Sequence, residues 1–286
     1  MRARLLGVAL LAVGGAAGAQ SDSASRAWNQ PVAPFRIVGN VWYVGAADIA
    51  SYLITSPRGH VLIDGGFVET APQILRNIRT LGFRPGDVRT LLTTHPHYDH
   101  AGGLARVKRE TGARLLASAP DAPVLEQGGR NDFFFKDSVF HYPRVRVDGT
   151  VRDGDTLRVG TTLLTAHVTP GHTRGCTTWT ARVDDAGTPR DVVVLCSASV
   201  PGYELVDPPA YPGIVEDYER TFRALRALPC DVPLAAHGAF FGLAAKRARA
   251  GTSPNPFVDP DGCRRMIDDA ERSFRRRLEA QRARAR

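Results

Sequence analysis

The chain has 286 residues, of which 43% are hydrophobic and 23% are charged, and its formal net charge is +8. This balance excludes an intrinsically disordered chain, and the length suffices for one large domain or two similar halves. Much of the positive charge lies in the C-terminal stretch "ERSFRRRLEAQRARAR", which favours a solvated helix with a frayed end over a nucleic-acid-binding arm.

The N-terminus is predicted to be a leader. The basic start "MRAR" precedes the apolar run Leu5–Ala19, which is too short for a membrane span and ends in an A-x-A cleavage pattern. We therefore predict a signal peptide over residues 1–19, cut before Gln20, and a mature domain over residues 20–286. A buried N-terminal helix is the alternative. No other stretch approaches the roughly 18–20 apolar residues of a span, so no membrane association is expected.

In the first half of the chain, strands alternate with helices. Short β-branched runs bounded by Gly, Pro and Asn predict strands at "FRIVGNVWYVG", "ASYLITS" and "HVLIDGG". Helical spacing of apolar residues predicts a helix at "ETAPQILRNIRTLG". "VRTLLTT" and "RLLAS" predict buried strands, separated by a helix that ends on Gly112.

The second half repeats this organisation. Strands are predicted in "VRVDGTVRDGDTLRVGTTLLTAHVT", "CTTWTARVDD" and "DVVVLCSAS", and helices over residues 216–228 and about 261–280. Strands and helices in both halves predict an α/β fold with two sheets and outer helices, a four-layer αββα sandwich. Functional sites of such proteins usually lie at strand-to-helix junctions.

The motif "HPHYDH" occupies such a junction, directly after "VRTLLTT". In extended backbone His95 and His97 point to the same side, Asp99 continues that alternation, and His100 begins the helix. Imidazole and carboxylate groups are ligands that zinc prefers. Four donors exceed the needs of one tetrahedral metal with an open position, so the motif predicts two metal ions.

Two later histidines complete the donor set. His172 in "TPGHTRG" and His237 in "LAAHGAFFG" each follow an apolar strand in a loop of small residues. A lone histidine in this position is more often a polar loop residue, but the joint pattern with the motif favours ligands. His60, His141 and His167 lack this context and are assigned structural roles, although a supporting contact from His167 is left open.

With these motifs, the chain resembles the metallo-β-lactamase superfamily, and subclass B3 in particular. The segments that carry the resemblance are "LLTTHPHYDHAGG", "TAHVTPGHTRGCTTWT", "SASVPGYELV", "YPGIVEDYERTFRALRALPCDV" and "NPFVDPDGC". HxHxDH alone indicates the superfamily, whereas the PGHT and PGY segments in this order are typical of the subclass. The resemblance covers nearly all of the mature chain and implies the αββα metallo-β-lactamase sandwich.

The resemblance implies a site for two Zn²⁺ ions. The implied ligands of the first are His95, His97 and His172, and those of the second are Asp99, His100 and His237. It also implies that Asp99 orients the attacking hydroxide. Ser197 and Ser199 match positions that contact the substrate carboxylate, with capping of backbone groups as the alternative.

Four cysteines remain in an exported chain, where disulfides are stable, and they allow three pairings. The resemblance implies a Cys230–Cys263 disulfide. Subclasses B1 and B2 use a cysteine from the strand that carries Cys196 as a zinc ligand, but here His100 fills that role. A Cys176–Cys196 disulfide that braces the cleft is therefore expected, with two free thiols as the alternative.

The implied activity is that of a class B hydrolase acting on cyclic amides. A periplasmic enzyme of this kind opens penicillins, cephalosporins and carbapenems with a metal-bound hydroxide and no covalent intermediate, and so confers antibiotic resistance. The chain lacks the G-x-S-x-G and S-x-x-K motifs of serine hydrolases and serine β-lactamases. The expected partner is a small-molecule β-lactam, the expected oligomeric state is a monomer, and the substrate spectrum is left open.

Two other functions compete with this interpretation. A lactonase or other ester hydrolase of the same fold is the first, but related enzymes place a bridging aspartate where this chain has Cys196 and Ser197, since Asp191 lies at the start of its strand. A non-catalytic exported zinc-binding protein is the second. The predicted three protein ligands per metal argue against a non-catalytic protein, because they leave a coordination position open for catalysis.

Overall fold

Two mixed β-sheets face each other and carry helices on their outer faces, in a computed structural model that describes residues 25–286. This arrangement confirms the predicted α/β class and the four-layer αββα sandwich. The predicted leader and its cleavage point before Gln20 lie outside the described residues.

The first sheet follows chain order. Among the described residues its strands are β1 (Phe35–Val38), β2 (Val41–Tyr43), β3 (Tyr52–Ile54), β4 (His60–Ile63), β5 (Val88–Leu92), β6 (Arg114–Ser118) and β7 (Gly149–Val151). Strands β1 to β4 pair antiparallel, and β4 to β7 pair parallel. The carboxyl ends of β4, β5 and β6 therefore meet at one edge, where the HPHYDH motif begins.

The second sheet has the order β12-β11-β10-β9-β8. Its strands are β8 (Thr156–Val159), β9 (Thr162–Val168), β10 (Thr177–Asp185), β11 (Thr188–Leu195) and β12 (Val232–Ala235). Strands β11 and β12 pair parallel, and the remaining pairs are antiparallel. This register places the carboxyl ends of β9, β11 and β12 at the same edge, so the loops that carry His172 and His237 leave the sheet at that edge, with β10 and β11 between them.

A helical segment over residues 25–28 precedes the first strand, and the other helices of the described residues lie between and after the strands. They are α1 (Ala71–Thr80), α2 (Tyr98–Ala101), α3 (Leu104–Thr111), α4 (Ala122–Gln127), α5 (Ile214–Ala227), α6 (Leu243–Ala248) and α7 (Pro260–Arg284), with short 3₁₀ turns at Pro85–Asp87, Ser138–Phe140 and Gly238–Phe241. The predicted last helix extends to Arg284 rather than to about residue 280. Within residues 25–286, no helix combines the length and apolar character needed to cross a bilayer.

Apolar side chains fill the layers on both faces of the central strands. In β4, Leu62 packs under α1 and α3 with Ile74 and Leu104, whereas Ile63 points to the second sheet and the buried Trp179. Alternation along a strand sends neighbouring side chains to opposite faces, and both faces here are covered. This explains why β4 and β5 are continuous apolar runs in the sequence.

Both predicted disulfides are present. Cys176 precedes β10 and is bonded to Cys196, the residue directly after β11. Cys230, just before β12, is bonded to Cys263 in the first turn of α7. The first disulfide therefore lies at the edge that carries the histidine loops, and the second fastens the C-terminal helix.

Candidate metal centre

All six residues predicted as metal ligands converge at the edge where the two sheets meet. The donor atoms of His95, His97 and His172 lie within 4.8 Å of one another, and those of His95, Asp99 and His100 do the same. Nε2 of His237 lies 3.2 Å from Nε2 of His100. One loop of the first sheet and two loops of the second thus form one cluster.

The backbone of the motif divides the donors into two sets. His97 is extended, with φ −72° and ψ 154°, but helix α2 begins at the next residue, Tyr98. The expectation that Asp99 continues the alternation and that His100 starts the helix is therefore wrong. An acidic residue is favoured in the first turn of a helix, and this turn places Asp99 and His100 next to His95 in the same cluster.

The glycines that follow α2 allow this short helix to pack closely against the loop after β4. A Cβ atom on Gly103 would lie 2.2 Å from the carbonyl oxygen of Gly65, so only glycine fits. The Gly103 N–H donates to the carbonyl of Gly66 at 3.0 Å, and the Gly65 N–H donates to the carbonyl of His100 at 2.8 Å. These contacts hold the short helix against the loop after β4.

The second donor set forms a nearly equilateral triangle, which we call the second triad: Asp99, His100 and His237. Oδ2 of Asp99 lies 3.4 Å from Nε2 of His100 and 3.4 Å from Nε2 of His237. The two Nε2 atoms are 3.2 Å apart. With metal–nitrogen distances of about 2.0–2.1 Å, ligand atoms of tetrahedral zinc lie about 3.3–3.4 Å apart. The triangle therefore has the size of one face of a zinc tetrahedron.

The first donor set, which we call the first triad, consists of His95, His97 and His172. Each pair of imidazole rings has centroids 4.7 Å apart in an edge-to-face arrangement. Burial, with the neighbouring imidazoles, holds the pKa of His95 well below its usual range, and burial followed by His97 does the same for His172. Neutral imidazole is the form that binds a metal.

Hydroxyl and carbonyl groups orient two rings of the first triad. Nδ1 of His172 lies 2.9 Å from the carbonyl oxygen of Ser199, to which it donates. Nδ1 of His95 lies 3.0 Å from Oγ1 of Thr94. With Nδ1 engaged behind the ring, Nε2 of each histidine is left to face the cluster.

Carboxylates stand behind the second triad. Oδ2 of Asp48 lies 2.8 Å from Nδ1 of His237. Oδ2 of Asp64 lies 3.8 Å from Nδ1 of His100 and also accepts the Thr94 hydroxyl at 2.7 Å. A carboxylate behind a ligating imidazole fixes its tautomer and raises its basicity.

The charges of the second triad fit a cation between its donors. Burial opposes ionisation of Asp99, but His100 and His237 hold its pKa well below the usual range. Burial also opposes the charge on His237, yet Asp48 and Asp99 raise its pKa to about 9. Nε2 of His97 and Nδ1 of His100 face carboxylates behind their rings, Asp132 at 3.4 Å and Asp64 at 3.8 Å, so the other nitrogen of each imidazole is left for a metal. A divalent cation would take the place of the His237 proton, so the six residues fit metal ions.

The predicted substrate-contacting serines differ in exposure. Ser199 is half-buried and lies beside His172, with its Oγ 3.3 Å from Nδ1. Ser197 is buried, and its Oγ lies 3.2 Å from that of Ser199. The structure thus places Ser199 next to the triad and Ser197 behind it. Their contact with a substrate stays a prediction.

The Cys176–Cys196 disulfide packs directly beneath the first triad. Both cysteines are fully buried, and their sulfurs lie within 4.8 Å of the donor nitrogen of His95. Sγ of Cys196 also lies 3.1 Å from the carbonyl oxygen of Thr94. Because a metal-binding cysteine must be a thiolate, the bonded sulfurs brace the triad rather than extend it.

The remaining histidines lie outside the cluster, as predicted. Nδ1 of His60 accepts the Ser56 N–H at 3.2 Å, and Nε2 of His167 lies 2.9 Å from Oγ1 of Thr180. Nε2 of His141 lies 3.2 Å from the carbonyl oxygen of Lys136.

Asp121 supports the His172 loop and was not predicted from the sequence. Its Oδ2 accepts the Thr173 hydroxyl at 2.8 Å and its Oδ1 accepts the Gly175 N–H at 2.9 Å. Burial raises the pKa of Asp121 to about 7. A Cβ on Gly175 would lie 2.7 Å from Cγ of Asp121, so the loop passes close over this carboxyl group.

Aromatic rings wall the cleft on both sides. The Phe135 ring stands edge-on to His97 with centroids 4.8 Å apart, and Phe134 is 38% exposed. On the other side, Trp28 and Phe240 each have ring centroids 5.3 Å from His237. The mouth of the site is therefore apolar, while its floor carries the donors.

The chain and its fold are similar to known proteins. A family model described as the metallo-beta-lactamase superfamily matches residues 44–237. The FEZ-1 metallo-beta-lactamase of Legionella gormanii is 41% identical, with a TM-score of 0.86 over 89% of this chain and 98% of that chain. BJP-1 of Bradyrhizobium japonicum, a subclass B3 metallo-beta-lactamase, is 39% identical, with a TM-score of 0.87 over 92% of this chain and 100% of its own.

Curated relatives match over shorter segments. A hydroxyacylglutathione hydrolase of Methylobacterium nodulans is 34% identical over 105 residues, which are 37% of this chain and 32% of the relative. The N-acyl homoserine lactonase AttM of Rhizobium johnstonii is 30% identical over 150 residues, which span 43% of this chain and 56% of the lactonase. The chain thus spans about a third to a half of the length of these curated relatives.

Proposed function

The chain belongs to the metallo-beta-lactamase superfamily, and on this premise we propose that it is a zinc-dependent β-lactamase of the B3 kind. It would hydrolyse the lactam amide bond of penicillins, cephalosporins and carbapenems. The observation that carries the proposal is the pair of triads that share one motif, with His95 and His97 in the first triad and Asp99 and His100 in the second.

The two triads would hold one Zn²⁺ each. When bound, zinc supplies a Lewis acid for the carbonyl oxygen and lowers the pKa of a coordinated water to about 7. Three protein donors per ion leave room for water and substrate, as catalytic zinc sites do.

The side chains around the triads would position the reactants. Asp99 directs Oδ2 towards His100 and His237, and its second carboxylate oxygen can accept a hydrogen bond from the attacking water and so orient it. The Ser199 hydroxyl beside His172 can donate to the substrate carboxylate. No serine nucleophile is required, so the reaction proceeds without a covalent intermediate.

A lactonase or other ester hydrolase is the second candidate, and the matches to hydroxyacylglutathione hydrolases and to AttM favour it. The residues of strand β11 in the second sheet favour the β-lactamase. Asp191 lies opposite Arg182, four residues before the metal-facing end of β11, and the residue beyond that end is the disulfide-bonded Cys196. A carboxylate that could bridge two metals from this strand is thus far from the triads.

The two candidates are separated by kinetics on the zinc-loaded protein. We expect kcat/KM for a penicillin and a carbapenem to exceed that for an acyl-homoserine lactone and a hydroxyacyl thioester at least about 100-fold, with loss of activity in chelator. Higher turnover of the lactone or thioester would establish the alternative. Bound zinc without turnover of any substrate would indicate a binding protein.

A pair of histidine variants on one strand-loop unit gives a matched control. His172→Ala removes a donor of the first triad, and we expect loss of nearly all β-lactam hydrolysis. His167→Ala, five residues earlier on β9, removes a ring that contacts Thr180 outside the cluster and should leave activity within about threefold. Equal activity of the two variants would contradict the assignment of His172.

We also propose that the protein is exported to the periplasm as a monomer, where hydrolysis would confer antibiotic resistance. The apolar run Leu5–Ala19 and its A-x-A end support this proposal. Mass spectrometry of the mature protein should give an N-terminus at Gln20, and an intact Met1 would contradict export by this leader.

A further inference from the structure

Asp132 lies between the aromatic wall of the cleft and the first triad. It belongs to the loop over residues 129–142, which we call the cleft loop, and it is 5% exposed. Its Oδ1 accepts the backbone N–H of Phe134 at 2.8 Å and that of Phe135 at 2.7 Å. One carboxylate oxygen therefore shapes the turn that presents these two rings.

The second carboxylate oxygen faces a predicted metal ligand. Oδ2 of Asp132 lies 3.4 Å from Nε2 of His97, and both side chains are 4% exposed. Nε2 makes no other polar contact among the described residues, so Asp132 is its available acceptor. The Phe135 ring stands edge-on to the same imidazole, with centroids 4.8 Å apart.

The cleft loop is also fastened at its base to the ligand motif. The Tyr142 hydroxyl donates to the carbonyl oxygen of Pro96, and the Tyr142 N–H donates to the carbonyl of Gly128 at 3.1 Å. Asp132 adds a second connection near the tip of the loop. The contacts of Tyr142 and Asp132 therefore restrain the cleft loop and the HPHYDH motif relative to each other.

We propose that Asp132 is a positioning residue that couples the cleft loop to His97, so that one carboxylate sets both the aromatic wall and the orientation of a metal ligand. An acceptor at Nε2 fixes the tautomer that leaves the lone pair of Nδ1 for a metal. The substrate consequence of this coupling rests on the proposed function, whereas the metal and loop consequences do not.

Two variants separate the roles of the two oxygens. Asp132→Asn keeps an oxygen for the N–H groups of Phe134 and Phe135 but replaces the acceptor that faces His97 with an NH₂ donor. Asp132→Ala removes both. Asp184→Asn is the matched control, since Oδ1 of Asp184 accepts the Gly187 N–H at 3.0 Å in the exposed turn between β10 and β11.

The metal readout is zinc affinity, measured on each purified protein by competition with a chromophoric chelator. We expect Asp132→Asn and Asp132→Ala to weaken one of the two zinc sites about 10- to 100-fold, because contacts behind a metal ligand contribute this much. Asp184→Asn should bind both ions within about twofold of the wild type. Wild-type affinity at both sites in Asp132→Asn would overturn the proposal.

The loop readout is hydrogen exchange at the amides of Phe134 and Phe135. Both amides should exchange at least about tenfold faster in Asp132→Ala and at nearly the wild-type rate in Asp132→Asn. Unchanged exchange in Asp132→Ala would also overturn the proposal. Because Asp132→Asn retains the turn, it tests the metal arm even where Asp132→Ala folds poorly.

For a β-lactam substrate, the two variants should separate kcat from KM. Asp132→Asn should lower kcat at limiting zinc with KM within about threefold, whereas Asp132→Ala should also raise KM about tenfold as the aromatic wall loosens. If the wild type hydrolyses no β-lactam, the proposed function fails, but zinc affinity and amide exchange still decide the role of Asp132.

Discussion

Asp99 is the residue on which the second triad depends. Its Oδ2 lies 3.4 Å from Nε2 of both His100 and His237, and these imidazoles keep its pKa low although burial opposes ionisation. An ionised carboxylate in a buried site is stable only when such partners surround it. Asp99 is therefore ionised at neutral pH, which is the form that a cation would bind.

Asp121 is also buried, but its pKa is raised whereas that of Asp99 is lowered. Burial raises its pKa to about 7, whereas an unfolded chain gives aspartate a pKa of about 3.9. The folded state then binds the proton more tightly than the unfolded state. The contribution of Asp121 therefore makes the protein less stable as pH rises from about 4 to about 7, and it is constant above that range.

This linkage gives a prediction for Asp121→Asn, whose amide can keep both contacts of the carboxyl group, to Thr173 and to Gly175. Between pH 5 and pH 7 the free energy of unfolding of the metal-free variant should rise relative to the wild type by about 2–3 kcal/mol. Denaturant titrations of both proteins at several pH values measure the difference. Parallel pH curves would show that the folded pKa of Asp121 is not raised.

The sequence predicted the six candidate ligands but not the aspartates that support them. The six candidate ligands, which the structure brings together, could be predicted because HxHxDH and two strand-end histidines form a spacing pattern. Asp48, Asp121 and Asp132 lie in separate loops, and Asp48 is 189 residues from the histidine that it contacts. Asp64 follows directly on β4, so the rule that sites lie at strand ends could have identified it.

The loops that follow the strands are the elements that make the site. Disulfides fasten two of these regions: Cys176–Cys196 spans 20 residues and lies beneath the first triad, and Cys230–Cys263 spans 33 residues and joins α7 to the segment before β12. Only the first contacts the ligand loops. The two bonds should therefore differ in function although they constrain the unfolded chain similarly.

Replacing each pair of cysteines by alanine tests this difference. Loss of either disulfide should lower the free energy of unfolding by about 3 kcal/mol, since the loops are of similar length. Only the Cys176→Ala/Cys196→Ala protein should also bind zinc more weakly, by about tenfold. Chelator competition and denaturant unfolding measure the two effects, and equal zinc affinity in the two double variants would contradict the bracing role.

Elements with strong periodicity were predicted, and short ones were missed. The pattern "ETAPQILRNIRTLG" contains α1, and "VRTLLTT" contains β5. Helices α4 and α6 have six residues each, too few for a helical period to show in the sequence. The sequence predicts that the helix of the motif begins at His100, two residues after its actual start at Tyr98. The spacing of His95, His97 and Asp99 suggests an extended strand through Asp99, but the backbone becomes helical directly after His97.

At the scale of the molecule, the site joins the two sheets. The Trp179 indole N–H on β10 donates to the carbonyl of Thr93 at 3.2 Å, and the Tyr52 hydroxyl on β3 donates to the carbonyl of Ala235 at 2.6 Å. Each triad combines donors from the loop after β5 with a histidine from the second sheet. Bound metal would therefore stabilise the contact between the halves as well as the loops.

Zinc should then raise the melting temperature of the whole protein in one transition. At a free zinc concentration 100-fold above Kd, each site contributes about 2.7 kcal/mol to stability. Scanning calorimetry with and without zinc measures this shift, and His172→Ala should reduce it while His167→Ala should not. A shift confined to part of the transition would show that the metal does not link the two sheets.

Two metal ions held by the two triads are proposed to support hydrolysis of a β-lactam. The most direct test follows carbapenem hydrolysis by metal-free protein as zinc is added in known equivalents. We predict no turnover without zinc, rising turnover that levels off at two equivalents, and complete loss on addition of chelator. Protein that has bound two equivalents of zinc and leaves the carbapenem intact would contradict a role of the two triads in β-lactam hydrolysis.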